Sequence, residues 1–152
     1  MKSLGIVGVC VALVAFTLWI LAPERSPSDL SSVVSIGGQT IDVTTASTPD
    51  ARARGLSGVP SLKSGEGMLF VFPVEGTYSF WMKDMLFSID MLWISARGEV
   101  VHLEEGVSPH TYPTSFTSDV PAQYVLEVPA GFSKTHGIKI GDYATLPNNV
   151  HQ

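Results

Sequence analysis

The chain has 152 residues, 45% of them hydrophobic and 15% charged, which suffices for one core of ordinary size and not for two. Fourteen acidic against nine basic residues leave a formal charge of −5, and no cluster of Lys or Arg occurs anywhere. The electrostatic footprint of a nucleic-acid-binding protein is therefore missing, and no nucleic acid is expected among the partners.

The first segment carries the strongest pattern. From Leu4 to Ala22 the run LGIVGVCVALVAFTLWILA has no charge, and at about 1.5 Å per residue it spans about 28 Å, close to the thickness of a bilayer's hydrocarbon core. It predicts a single N-terminal transmembrane helix over residues 1–22. A cleaved signal peptide is the competing reading. Cleavage after Ala22 would leave Pro23 first and put Ile20 where a small residue is required, and the run exceeds the roughly 7–15 residues of a signal core. Cys10 suits a lipoprotein poorly, because Val9 stands directly before it where a small residue is usual, and twelve membrane-compatible residues follow. An uncleaved anchor is the favoured reading. Lys2 precedes the run, and the flank PERSPSD after it sets one Arg against Glu24 and Asp29. That asymmetry predicts a single-pass protein with its globular part on the extracytoplasmic side, periplasmic or extracellular. Trp19 suits an interfacial anchor, and Gly8 with Ala12 forms a small-xxx-small pair that can seat a second helix. Cys10 is the only cysteine, so beyond the anchor neither a disulfide nor a thiol site is expected.

Residues 23–32, rich in Pro and Ser, read as a linker, residues 33–147 as the domain and 148–152 as a tail. SVVSI and QTIDVTT flank Gly37-Gly38, the pattern of a hairpin with a two-residue turn. In STPDARARG, Thr48 is placed as N-cap, Pro49 at the first helical position, Asp50 in the first turn and Gly55 at the stop, predicting a short helix. Period-two alternation predicts further strands at 68–72, 78–82, 89–94, 99–105 and 123–128, and two more at 138–140 and 143–146 around Gly141-Asp142. A second short helix is predicted over Phe132–His136. The segment Gly106 to Pro121 is left as a long loop, a feature that is usually functional or mobile. Many short strands and helices too short to cover a parallel sheet predict a mainly β, antiparallel sandwich or barrel-like domain.

Five segments in this order, GLSGVPSL, GEGMLFVFP, FWMKDMLFSIDMLWI, GEVVHLEEGVSP and AQYVLEVPAG, resemble the DUF192 (UPF0127) family of small bacterial and archaeal domains. The likeness runs from about Ile36 to Leu146. It implies a mainly β, sandwich-like fold and no particular reaction. The chain departs from the family's pattern at Ser57, where Met usually follows Gly-Leu. It departs again after Lys83, at Asp84, Met85 and Ser88, where the family usually has MKNT and a later Pro.

Asp90 and Glu127 are acids set inside apolar strands, and a buried carboxylate is costly without donors. Lys83, Arg52 and Arg54 are the candidate partners, with Asp84 beside them. These six residues read in three ways: an architectural polar network, the lining of a pocket for a polar ligand, or a carboxylate pair with one pKa raised by burial. The first is favoured. His102 and Glu104, two apart on a strand, with His110 in the long loop, are weak candidates for a metal site because their spacing matches no compact motif. Met82, Met85 and Met91 have sulfur that suits Cu(I), yet Met is also the usual gap-filler of cores. Tyr78, Phe80, Trp81 and Trp93 can stack on a sugar, but alternation splits them between two faces and favours packing. SGEGM reads as a turn rather than a phosphate loop, and Ser57 lies outside any G-x-S-x-G elbow.

The expectation is thus a membrane-anchored extracytoplasmic module, needing no cofactor, that binds a small polar ligand, an envelope glycan or an envelope protein. The alternative is a hydrolase-like enzyme using Asp84, Asp90 and Glu127, or a metal-assisted one using His102, Glu104 and His110.

Overall fold

The computed structural model describes residues 32–150; the predicted anchor and all but the last residue of the linker lie outside them. Among the described residues no helix is long and apolar enough to cross a membrane.

The chain forms β1 (Ser32–Ile36), β2 (Gln39–Ala46), α1 (Pro49–Arg54), β3 (Glu66–Gly76), β4 (Ser79–Trp81), β5 (Ile89–Ile94), β6 (Val100–Val107), β7 (Ser115–Thr117), β8 (Ala122–Pro129) and α2 (Phe132–His136). Both helices fall where the sequence places them. Thr48 Oγ1 accepts from Ala51 N at 3.2 Å at the start of α1, and α2 ends on the left-handed Gly137. Gly37 and Gly38, at φ 57° and 73°, make the tight β1–β2 turn because both central positions of such a turn need positive φ.

One sheet dominates, with order β1-β2-β3-β8-β5-β6, and β4 pairs with β7 in a second, two-stranded sheet. The fold is mainly β, but the expected all-antiparallel sandwich or barrel is corrected. β2 and β3 run parallel, Asp42 opposite Glu66 and Ala46 opposite Phe70, since α1 and the segment after it carry the chain back before β3 begins. Two predicted strands are corrected as well. Residues 138–146 form no strand of the sheet: they meet its edges through isolated bridges, Ser35–Thr145 and Glu99–Tyr143, and a bond from Gly141 N to the Val100 carbonyl, while their apolar side chains cover a face instead of extending it. The long loop, in turn, holds a 3₁₀ turn at Pro109–Thr111 and strand β7.

The large sheet is covered on both faces, which is why all six residues of β5 are buried. On the first face Leu92, Ile94, Tyr124, Leu126 and Val128 pack with Ile138, Ala144 and Leu146 from the C-terminal segment. On the second, Met91, Trp93, Phe70 and Val125 pack with Leu56, Met82 and Met85 from the irregular segments, and with Phe80 and Phe116 of the small sheet. Burying such side chains is worth roughly 1.5–3 kcal/mol each.

Candidate functional site

Alternation sends the two embedded acids to opposite sides. Asp90 lies opposite Val128 in the β5–β8 register, and Glu127 lies opposite Met91. Asp90 therefore points to the first face with Leu92 and Ile94, and Glu127 to the second with Val125.

Asp90 is fully buried. Its Oδ1 accepts from Gly106 N at 2.8 Å and Gly131 N at 3.0 Å, and its Oδ2 accepts from Ser133 N at 2.9 Å. The donors are backbone amides of β6 and of the start of α2, not the Lys83 corner. Hydrogen bonds to charged groups are among the strong ones in proteins, and three of them hold β6, β5 and α2 together.

Glu127 has the reverse situation. It is 4% exposed, and its buried Oε2 has no hydrogen-bond partner among the described residues. Burial pushes its pKa up to about 8, so the group is mostly an uncharged acid near neutral pH. Its strand neighbours are Met68 of β3 and Met91 of β5, which offer it nothing polar.

Glu127 is the one acid lining a cleft of about 280 Å³ on the second face. Phe70 and Phe72 of β3, Tyr78, and Phe80 and Trp81 of β4 make aromatic walls, with Leu56 and Met85 closing the apolar lining. The walls are mutually braced. Phe80 meets Phe70, Phe72 and Trp93 edge-on at 4.8, 6.3 and 5.7 Å, and Phe72 stacks on Tyr78 at 3.5 Å. Trp81, 56% exposed, stands at the mouth and meets Tyr112 at 6.4 Å.

Arg54 and Lys83 also line the cleft. Both are exposed, and neither takes part in an ion pair among the described residues. Arg52 is committed elsewhere: it donates to the carbonyls of Ser47 and Val71 and stands 5.1 Å over the Phe72 ring, tying α1 to β3. Asp84 is exposed and does not line the cleft. It sits at φ 57° and its carbonyl accepts from Gly58 N at 2.9 Å, while Ser57 Oγ donates to the carbonyl of Lys83 at 2.9 Å. A left-handed position suits Asn or Asp, so the Asn usual there in the family pattern answers a backbone need.

The structure thus brings Arg52, Arg54, Lys83 and Glu127 to the lining of one cleft, the Arg52 guanidinium being engaged by the carbonyls of Ser47 and Val71. Asp84 and Asp90 are not brought there, so Asp84, Asp90 and Glu127 form no cluster. His102 Nε2 and Glu104 Oε1 pair at 3.0 Å, and the His102 ring meets Trp93 at 5.1 Å. His110 is on the 3₁₀ turn, and no three metal-binding side chains gather among the described residues. Met82, Met85 and Met91 are buried in the core, as is Trp93. Sequence reasoning missed Phe70 and Phe72. Their spacing of two was visible, but the register that sets Met68 opposite Glu127 was not.

Fold and cleft together define a small mixed-sheet β domain with an acid at the base of an aromatic-walled depression. Residues 32–146 match the DUF192 model, described as Uncharacterized ACR, COG1430, and the chain belongs to that family. A solved structure of a candidate transcription regulator from Sinorhizobium meliloti 1021 is 31% identical, covering 76% of this chain and 90% of its own, with a TM-score of 0.69. A protein of unknown function from Novosphingobium aromaticivorans DSM 12444 shares the fold at 24% identity and a TM-score of 0.70, covering 83% of this chain and 94% of its own. No curated protein matches the chain.

Proposed function

We propose that this domain is a non-catalytic binding module whose cleft between α1, β4 and β8 receives a small polar molecule, and that the run Leu4–Ala22 holds it at the outer face of a membrane. The observation that carries the reading is Glu127: a buried carboxyl oxygen without a partner, lining an open, aromatic-walled cleft. Such an atom is costly to leave unsatisfied, and a ligand group supplies what the fold does not. The volume sits near the lower end for small-molecule sites, which suits a compact ligand better than a polymer. With Glu127 as its one lining acid, the cleft lacks the carboxylate pair that hydrolytic chemistry of this type needs.

The test is a thermal-shift and ligand-observed NMR screen of small polar metabolites on the full chain in detergent, repeated on Trp81→Ala. Hits that stabilise the native chain and are lost in the variant support the reading. An empty screen, or hits indifferent to Trp81, refutes it. Membrane fractionation with protease accessibility tests the anchor and its orientation.

A further inference from the structure

The chemistry of the cleft narrows its ligand, on the premise that the cleft is a small-molecule site. Its most buried polar group is Glu127, which forms no ion pair among the described residues, and the nearby Arg52 of the lining spends its guanidinium on the carbonyls of Ser47 and Val71. Around it stand the π-systems of Phe70, Phe80 and Trp81, whose faces attract cations and disfavour anions. At the rim the preference reverses, because Arg54 and Lys83 are exposed and unpaired. One end of the cleft lacks a positive charge and the other lacks a negative one.

We infer that the cleft binds a small zwitterion, a primary ammonium seated against Glu127 within the aromatic walls and a carboxylate turned toward Arg54 and Lys83. A plain amine leaves the rim cations unanswered and repelled. A plain acid carries nothing that compensates the buried carboxyl oxygen. An amino acid answers both poles, and its body fits a cleft of about 280 Å³.

A proton accompanies this binding. The ammonium requires Glu127 in its carboxylate form, so the proton that the buried acid holds near neutral pH passes to solvent. The charged groups lining the cleft with Glu127 are Arg52 and Arg54 of α1 and Lys83 after β4; Tyr78 is the other titratable neighbour, and Met68 and Met91 flank it on the sheet.

The experiment is calorimetry on the full chain in detergent with ω-amino acids from β-alanine to 6-aminohexanoate, and with hexylamine and hexanoate as single-pole controls. Buffers of different ionisation enthalpy report the protons released. Expected is at least one ω-amino acid that binds tenfold or more tightly than either control, releasing close to one proton at pH 7 and almost none by pH 9.5. Glu127→Gln, checked for an unchanged fold by circular dichroism, abolishes the proton release and weakens the zwitterion at least tenfold. Lys83→Ala weakens the zwitterion and spares hexylamine. Hexanoate binding as tightly as any ω-amino acid without proton release overturns the inference and leaves a small-ligand cleft standing. Failure of every probe, while the metabolite screen still yields Trp81-dependent hits, also overturns it alone. Failure of both refutes the cleft as a site.

Discussion

Two carboxylic acids in this domain show how differently burial is resolved from one residue to the next. Asp90 meets three backbone amides, while Glu127 Oε2 meets no donor among the described residues. Asp90→Asn sets an amide N–H₂ against donors, and urea unfolding should register a loss of roughly 2–3 kcal/mol. Glu127 makes stability depend on pH in the opposite sense to an ion-paired acid. Its folded pKa of about 8 lies above the ordinary value of 4.5, so between those limits the native state holds a proton that the unfolded chain has released. Its contribution is therefore full below pH 4.5, declines by up to about 1.4 kcal/mol per pH unit across the window, and is gone above pH 8. Glu127→Gln should flatten that decline in melting curves taken from pH 5 to 9. Alternation gave each acid its companions on its own strand, Leu92 and Ile94 for Asp90 and Val125 for Glu127, but that the two face opposite sides is decided by the β5–β8 register. Their partners were hidden, because the amides of Gly106 and Gly131 lie 16 and 41 residues from Asp90 and no local pattern announces them.

Among the elements, α1 was the most legible, since its cap, its proline and its glycine stop all act within one turn. Thr48→Ala removes the hydroxyl that accepts from Ala51 N and should cost about 1 kcal/mol in chemical denaturation. The parallel partnership of β2 and β3 was illegible for the converse reason: nothing in either strand encodes direction, and only the course of the intervening chain decides it. Residues 138–146 misled because their alternation is real but serves to cover a face. Gly67 records how closely the central strands approach, for a Cβ there would stand 2.8 Å from the Glu127 carbonyl oxygen. Gly67→Ala should destabilise by roughly 1–3 kcal/mol, the range of overpacked sites, and should show as faster amide exchange across β3 and β8.

For the molecule as a whole, the C-terminal segment acts as one of the two layers over the large sheet. Ile138, Ala144, Leu146 and Val150 all belong to the first core. A chain ending at Gly137 leaves Val34, Ile36 and Val100 without that cover, and the expected outcome is loss of a cooperative melt with strong binding of a hydrophobic dye. The aromatic-walled cleft on the other face depends just as much on distant segments, drawing Arg54 from α1, Trp81 from β4 and Glu127 from β8. The order of strands adds a constraint in time. β8 is the last strand made, yet it is inserted between β3 and β5. Until residue 129 has emerged the large sheet exists only as two separate pieces, β1-β2-β3 and β5-β6, so a chain produced or translocated from its N-terminus can complete that sheet only in a late closing step.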